Sequence, residues 1–480
     1  MNGMTISKFH SALAQDPSLG PALIINSLKS INRHDPILKS IITTNPDAIS
    51  EAIQKASTKN PFLPLHSIPI ILKDNYTTPT LPTTAGVRAL TLKPKHESTV
   101  LSRLKSAGAI ILAKANLHEF ALQGITLSSI RGQTLNPYDP ARTPGGSSGG
   151  TAAALAAGFA IAGCGTDTVN SLRSPASACG IVGFRPSTGR IPTDGVVPVS
   201  FTQDALGPMA LCVADARLLY IVMAGLPIPS PVSRRKWRVG VLESFFGPEG
   251  LGSDSVAENR VVGDVVRRAL DSIRGDVELV SIPEVAHPDW CFMTLSDRAD
   301  TQAFEFKYSL DRFLQGDVNA NHRCLEEIVR SGEYSREAVT EVFSAGLVDP
   351  DTYSVTSRAY QDRLEYIETL KGSVDMCFEE YGVDALVYPH QRQLPVRIGE
   401  TKQGGRNGIL AALTGRPAIC IPAGRSPSTE TAVQGVPVGV EFMGKRWEED
   451  DLLDLAEVVE GILQVQQSPD LSFFEKLGSI

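Results

Sequence analysis

A run of consecutive apolar residues rich in isoleucine ends in a lysine early in this 480-residue chain. The run is Ile68–Leu72, and Lys73 follows it directly. Successive side chains of a strand point to opposite faces, so a run that is apolar at every position is typical of a strand buried on both sides. We therefore predict a buried strand that carries Lys73 at its end.

The segments that follow alternate between helix and strand patterns. Ser98–Gly108 is typical of a helix, and Ala109–Ala113 is typical of the next strand. This β-α-β order favours an α/β fold in which helices cover both faces of a sheet. Further strands are predicted at Phe159–Cys164, Arg238–Leu242, Ala385–Pro389 and Ala418–Pro422.

Helices are predicted at both ends of the chain and through much of its middle. Residues 5–57 are interpreted as helical, with Ser7 as the cap of a helix over Lys8–Ala14. Residues 250–380 are also helical in pattern, and Glu448–Ile462 has the period of an amphipathic helix. Five aromatic residues of the middle region are expected in the core: Trp290, Phe292, Phe304, Phe306 and Phe313.

The predicted organisation has four parts. Residues 1–60 form an N-terminal helical segment, and residues 61–225 form the core that contains the chemistry. The proline-rich stretch Pro227–Pro231 is the best internal boundary. Residues 230–395 are a variable, mostly helical region, and residues 396–480 complete the same domain as the core.

Composition excludes several classes of protein. The chain has 45 basic and 53 acidic residues, a net charge of −8, which argues against a nucleic-acid binder. The most apolar stretch, Ala152–Cys164, is too short to span a bilayer, and Met1–Lys8 has no features of a signal or transit peptide. Seven scattered cysteines without a Cys-x-x-Cys pair predict free thiols in a reducing, cytoplasmic setting. The histidines lack metal-ligand spacing, so neither a metal nor an organic cofactor is expected.

Three short motifs contain candidate catalytic residues. Lys73 ends the first strand, Ser147 lies in the glycine-rich loop Gly145–Gly150, and Ser171 lies further along in Gly165–Pro175. A serine hydroxyl is a poor nucleophile until a positioned base takes its proton. A lysine among apolar residues favours its neutral form, which can be that base.

The glycine-rich loop has two other interpretations. A phosphate-binding P-loop would end in Gly-Lys-Ser/Thr, whereas this loop is followed by Thr151. The pattern Gly-x-Ser-x-Gly also fits the nucleophile elbow of α/β-hydrolases, but that elbow needs a preceding strand, and Asn136–Pro140 predicts a turn. We interpret the elbow match as fortuitous.

Motifs of one known family occur along much of the chain, at Ser67–Asn75, Asn116–Phe120, Gly132–Pro137, the glycine-rich loop, Gly180–Ser187, Leu413–Ala418 and Gly435–Val440. Through these segments, and over about residues 20–465, the sequence resembles the amidase signature family, whose fold has a mixed, largely buried β-sheet with helices on both faces. Arg185 stands where that family usually has lysine.

The resemblance implies a Ser-cisSer-Lys triad that hydrolyses a carbon–nitrogen bond. Ser171 would attack the carbonyl carbon, Ser147 with its cis peptide bond would relay the proton, and Lys73 would be the final base. Backbone N–H groups of Thr168, Val169 and Asn170 would bind the oxyanion. The expected substrate is a small-molecule amide or ester, processed through an acyl-enzyme.

One departure from the family lies beside the nucleophile. Val169 and Asn170 replace two usual glycines, and a β-branched residue hardly adopts positive φ. Either the turn is one that valine can adopt, or the oxyanion pocket is reshaped.

Three hypotheses remain open at this stage. The leading one is a stand-alone amidase, and the second is the glutaminase subunit of a tRNA-dependent amidotransferase. The third is a catalytically weak homologue that binds a ligand or protein. The sequence also leaves a homodimer open.

Overall fold

A large β-sheet forms the centre of the protein. The computed structural model describes residues 3–57, 63–227, 235–248, 255–316, 318–472 and 474. Within these residues the strands are β1 (Ile41–Thr44), β2 (Pro69–Lys73), β3 (Leu92–Pro94), β4 (Ile110–Ala115), β5 (Leu127–Ser128), β6 (Gly132–Gln133), β7 (Ala162–Asp167), β8 (Val182–Arg185), β9 (Ala205–Ala210), β10 (Trp237–Leu242), β11 (Val277–Ile282), β12 (Val318–Ala320), β13 (Ala385–Pro389), β14 (Ala418–Arg425) and β15 (Pro437–Gly444).

Helices surround this sheet. In the same described residues they are α1 (Ile6–Gln15), α2 (Leu19–Leu38), α3 (Ala48–Ser57), α4 (Thr99–Ser106), α5 (Gly149–Ala156), α6 (Arg173–Ala178), α7 (Val213–Ala224), α8 (Val256–Ile273), α9 (Phe292–Ala299), α10 (Gln302–Gln315), α11 (Leu325–Ser331), α12 (Glu341–Val348), α13 (Arg358–Tyr381), α14 (Ile409–Thr414) and α15 (Glu449–Leu463).

The central sheet is mixed. Its strand order is β1-β4-β2-β7-β9-β8-β14-β15-β13-β10-β11. β2 lies between β4 and β7 and is parallel to both, whereas β9, β8, β14 and β15 follow with antiparallel pairing. β10 is parallel to both β13 and β11. The predicted α/β fold with a mixed, largely buried sheet is confirmed.

The strand that precedes Lys73 is buried on both faces, as its apolar run indicated. Ile70 and Leu72 point into one hydrophobic core cluster, and Ile71 points into a second cluster on the other side of the sheet. Burying an aliphatic side chain of this size stabilises the fold by about 1.5–3 kcal/mol. Two-sided packing therefore places the end of β2, and Lys73 with it, in the interior.

The predicted helix starts near the N-terminal part of the chain are confirmed in one case and wrong in another. The helix after Ser98 is confirmed: the Ser98 hydroxyl accepts a hydrogen bond from the Leu101 amide at 3.3 Å. The predicted cap Ser7 is wrong, because Thr5 accepts the hydrogen bond from the Lys8 amide and the helix begins at Ile6. The all-helical interpretation of residues 5–57 is also wrong at β1, a short strand that pairs with β4.

Other predictions concern the middle of the chain. Its helices are present, but β11 and β12 interrupt them. The predicted boundary at Pro227–Pro231 lies mostly outside the described residues. Among the five aromatic residues, Trp290, Phe304 and Phe306 are buried, whereas Phe292 and Phe313 are only partly buried.

Two further features concern the sequence predictions. All seven cysteines are free thiols, and four of them are buried. Of the helices in the described residues, none is both long enough and apolar enough to cross a bilayer.

Candidate active site

The sheet brings two motifs together at one edge. β2 and β7 are parallel neighbours, with Leu72 opposite Cys164. Because the carboxyl ends of neighbouring parallel strands meet at the same edge, Lys73 at the end of β2 lies beside Thr166 and Asp167 at the end of β7. This edge is where an open α/β sheet commonly holds its ligand.

The Lys73 side chain is fully buried and makes two hydrogen bonds. Its Nζ donates to the Ser147 Oγ at 2.7 Å and to the Thr166 Oγ1 at 2.8 Å. Burial lowers the pKa of Lys73 to about 7, although the carboxylates of Asp167 and Asp204 oppose that lowering. The neutral amine is therefore well populated near neutral pH and can accept a proton.

The glycine-rich loop is packed against its surroundings rather than acting as a loose linker. The peptide bond between Gly146 and Ser147 is cis, and Gly145 has a φ of +72°. A Cβ atom on Gly150 would lie 2.1 Å from the carbonyl oxygen of Asn116, so only glycine fits there. This close approach packs the start of α5, just after Ser147, against Asn116 at the end of β4, while the hydrogen bond from Lys73 holds Ser147 at the end of β2.

Ser171 lies in the turn between β7 and α6, in the wall of a cavity of about 540 Å³. The backbone amide of Ser148 donates to the carbonyl oxygen of Ser171 at 3.2 Å, which ties the two serine loops together. Between the side chains of Ser147 and Ser171 the described residues show no hydrogen bond. Catalytic hydrogen bonds are often long in the absence of substrate and shorten when it binds.

The turn before Ser171 is one that valine can adopt. Neither Val169 nor Asn170 is among the described residues with positive φ. The Val169 side chain is 7% exposed and packs into a core cluster with Phe245 and Ile409. The backbone N–H groups of Val169, Asn170 and Ser171 donate no hydrogen bond to any described residue, so they are free to meet a ligand.

Thr168 begins this turn and also lines the cavity. Its hydroxyl donates to the Asp204 carboxylate at 2.6 Å, and its carbonyl oxygen accepts from Gln203 at 3.2 Å. Both contacts hold the start of the turn against the loop before β9. The side-chain hydroxyl of Thr168 is thus already engaged.

A buried network of charges supports the turn from behind. The Asp167 carboxylate accepts hydrogen bonds from Arg173, Arg185 and the Leu172 amide, each at about 3.0 Å. Burial alone would raise the pKa of Asp167, but the two guanidinium groups outweigh it and hold that pKa below its usual range. Arg173 also pairs with Glu441 of β15 and donates to the Val169 carbonyl at 2.6 Å.

His118 lines the same cavity but is occupied by structural contacts. Its Nε2 lies 3.0 Å from the Ala338 carbonyl oxygen, and its Nδ1 lies 3.4 Å from the Leu127 amide. Burial lowers the pKa of His118 to about 4, so the ring is neutral at physiological pH. In the described parts of the chain, no group of three or more His, Cys, Asp or Glu side chains is arranged to hold a metal ion.

The sequence did not lead us to assign a role to Thr166 or Asn75, two polar residues at this edge of the sheet. Thr166 accepts hydrogen bonds from Lys73 and, at 3.1 Å, from the Asn75 side chain. Both residues lie inside the recognised motifs: Thr166 directly precedes Asp167, and Asn75 is two residues after Lys73. Their position at adjacent strand ends was the available indication.

Comparison with known proteins identifies the family. Residues 22–453 match the family model described as Amidase. The chain belongs to the amidase signature family. Membership makes this amidase a carbon–nitrogen hydrolase at the level of the family, which confirms the resemblance noted in its sequence.

Individual relatives of this amidase span its whole length. A glutamyl-tRNA(Gln) amidotransferase subunit of Chloroflexus aggregans is 31% identical, and the match covers 98% of each chain. The crystal structure of the peptide amidase of Stenotrophomonas maltophilia has a TM-score of 0.82 at 27% identity and covers 98% of this chain and 99% of its own. The corresponding amidotransferase subunit of Thermotoga maritima shares the fold, with a TM-score of 0.72 at 24% identity and 98% coverage of both chains.

Proposed function

We propose that this amidase hydrolyses the amide bond of a small-molecule substrate, and esters as well, through a Ser171-Ser147-Lys73 triad. Ser171 lines the cavity, Ser147 holds a hydrogen bond from the base, and Lys73 is buried with a pKa near 7. The short contact between Lys73 and Ser147 is the observation that carries the proposal. It places a base in contact with the serine loop that is tied to Ser171.

Acylation requires a proton to leave Ser171 as its Oγ attacks the carbonyl carbon. In the proposed path Ser147 accepts that proton while its own hydroxyl proton moves to the neutral Nζ of Lys73 at 2.7 Å. The same groups then return a proton to the leaving amine, and the carbon–nitrogen bond breaks. Water then attacks the acyl carbon and passes a proton through Ser147 to Lys73. The relay returns that proton to the Ser171 Oγ as the ester bond breaks and the carboxylic acid leaves.

The tetrahedral intermediate carries an oxyanion that needs hydrogen-bond donors. The free backbone N–H groups of Val169, Asn170 and Ser171 are the donors proposed here, with Thr168 fixing the start of the turn. Each such donor contributes about 3 kcal/mol in enzymes where one has been removed. The negative charge of Asp167 is neutralised by Arg173 and Arg185, so it does not oppose an oxyanion nearby.

A fluorophosphonate probe tests the nucleophile directly. We expect covalent labelling of the wild type on Ser171, located by mass spectrometry, and loss of labelling in Ser171→Ala and Ser147→Ala. Ser296→Ala is the matched control, because Ser296 lines the same cavity and has no part in the triad. An unlabelled wild type would overturn the hydrolase proposal, and equal labelling of Ser171→Ala would overturn the choice of nucleophile.

A second candidate is the glutaminase subunit of a tRNA-dependent amidotransferase. The full-length match at 31% identity to an amidotransferase subunit supports it. That role needs partner subunits, whereas a stand-alone amidase needs none. Steady-state hydrolysis of simple amides by the purified single chain, with no preference for glutamine, would count against the amidotransferase.

The third hypothesis, a catalytically weak homologue, rested on Val169 and Asn170. The conformation of the turn counts against it, because neither Val169 nor Asn170 has a positive φ. Labelling of Ser171 without turnover of any amide or ester in a substrate panel would revive it.

A further inference from the structure

The wall of the cavity that contains Ser171 also holds a partly buried arginine. Arg406 lines the same cavity as Ser171, and its Nε atom is buried without a hydrogen-bond partner. Among the described residues the guanidinium group forms no ion pair, and it stacks over the Phe292 ring at 5.0 Å. A buried cationic donor without a direct partner is costly, so one at a ligand cavity points to an anionic ligand.

The carboxylate of Asp300 attracts Arg406 electrostatically but forms no direct ion pair with it among the described residues. Asp300 also lines the cavity, but its oxygens accept hydrogen bonds from the Gln302 amide at 3.0 Å and the Gln302 side chain at 2.8 Å. Burial lowers the pKa of Arg406 to about 10, and Asp300 only partly opposes that lowering. Arg406 is therefore still charged at neutral pH and keeps its donors available.

Arg406 also lies close to the proposed catalytic loop. A Cβ atom on Gly124 would lie 3.4 Å from the Arg406 Nη1 and 3.9 Å from the carbonyl oxygen of Gly146. One glycine thus separates the guanidinium group from the cis peptide bond that leads into Ser147. Ser171 and Arg406 line the same cavity of about 540 Å³, so one small ligand can contact both in the proposed binding mode.

The other charged residues of the cavity differ in their surroundings. Arg336, Lys402, Glu337 and Glu341 are all exposed at its rim, where water screens them. Arg406 is only partly exposed and has one donor, Nε, withdrawn from water. A guanidinium group matches a carboxylate with two parallel hydrogen bonds.

We propose that Arg406 selects a substrate that carries a carboxylate in addition to the amide that is cleaved. This inference rests on the proposed hydrolase function and names its substrate class: a short dicarboxylic acid monoamide or a similar amide with an anionic end. Arg406 contacts the carboxylate and takes no part in proton transfer.

Matched pairs of amides test the inference. Succinamate and glutaramate carry a carboxylate, whereas succinamide and glutaramide are their uncharged counterparts of the same shape. We expect the wild type to prefer the anionic member of each pair in kcat/KM by at least about tenfold, the usual effect of a charge-assisted hydrogen bond. Arg406→Met is expected to lose this preference and Arg406→Lys to keep part of it.

Lys402→Met is the control for a general loss of positive charge, since Lys402 lines the same cavity but is exposed. It is expected to keep the preference of the wild type. Equal use of both amides by the wild type, or an unchanged preference in Arg406→Met, would overturn the role of Arg406.

A second readout separates this inference from the proposed function. Succinate and glutarate are expected to slow fluorophosphonate labelling of Ser171 in the wild type more than the diamides do, and to lose that advantage in Arg406→Met. If Ser171 is not labelled at all, the hydrolase proposal fails, and calorimetric binding of the two dicarboxylates then decides on Arg406 alone. Binding that is absent, or equal in wild type and Arg406→Met, contradicts the carboxylate site.

Discussion

The Nζ atom of Lys73 lies 2.7 Å from the Oγ atom of Ser147, and both side chains are completely shielded from solvent. Burial disfavours the charged form of this lysine, and the neutral form that it favours is the one that can act as a base.

Removal of the Lys73 amine is expected to abolish most of the activity. Lys73→Ala should lower kcat/KM for an amide by about 10²–10⁴-fold, the usual contribution of a positioned general base. The measurement is ammonia release near neutral pH, with Lys93→Ala as the control at an exposed strand position. Full activity in Lys73→Ala would remove this lysine from the mechanism.

Activity should depend on pH through the same group. Because the pKa of Lys73 is lowered to about 7 and the neutral amine is the base, kcat/KM should rise as the pH increases through about 7 and then level off. A pH profile of kcat/KM between mildly acidic and mildly basic buffers measures the midpoint. A profile that falls over this range would contradict Lys73 as the base.

Thr166 is expected to tune this midpoint. Thr166→Val keeps the shape of the side chain but removes the oxygen that accepts hydrogen bonds from Lys73 and Asn75. The ammonium form loses a partner, so the pKa of Lys73 and the midpoint of the profile should move to lower pH, with kcat/KM about 10-fold lower. Thr166→Ser restores the hydroxyl and should restore both values, which a purely structural role would not require.

Val169 tests whether the usual glycine is needed beside the nucleophile. Val169→Gly should lower the free energy of unfolding by about 2–4 kcal/mol, because it removes a buried side chain and adds backbone freedom. The rate of Ser171 labelling should change little, since the neighbouring N–H groups are free with valine in place. Val348→Gly, at a residue that is 81% exposed, is the control for denaturant unfolding. A large rise in labelling rate would show that valine restricts the oxyanion site.

The glycine-rich loop should tolerate no side chain at Gly150. Gly150→Ala places a Cβ atom 2.1 Å from the Asn116 carbonyl oxygen, so a marked loss of thermal stability or of soluble protein is expected. Gly461→Ala is the matched control, because Gly461 is also helical and has no neighbouring atom within 4 Å of a new Cβ. That control should be neutral or stabilise the protein by about 0.5–1 kcal/mol. Equal stability of the two variants would contradict the close packing of the loop.

The secondary structure near the motifs was predictable where a local pattern of apolar residues determines it. The apolar run before Lys73 predicts β2, since two-sided burial needs an apolar residue at every position. The strand β1 was missed because four residues between two helices are too few to show a period of two. Thr5 and Ser7 are both suitable caps, and the sequence does not distinguish them.

Arg406 shows where sequence reasoning ends. It lies far along the chain from Lys73, Ser147 and Ser171, in a segment without a motif. Only tertiary packing reveals that its guanidinium group faces the cavity with an unsatisfied Nε. Phe292 is a similar case, since its aromatic ring predicts a core residue but lies partly open beside Arg406.

The strand order has a consequence for how the protein is made. β14 and β15 come from the last quarter of the chain but lie between β8 and β13, near the middle of the sheet. While the ribosome is still upstream of Gly444, β8 and β13 lack these neighbours, and exposed strand edges favour aggregation. The ribosome therefore has to pass Gly444 before the sheet can close, and a chain that stops before β15 also lacks Glu441, the buried partner of Arg173.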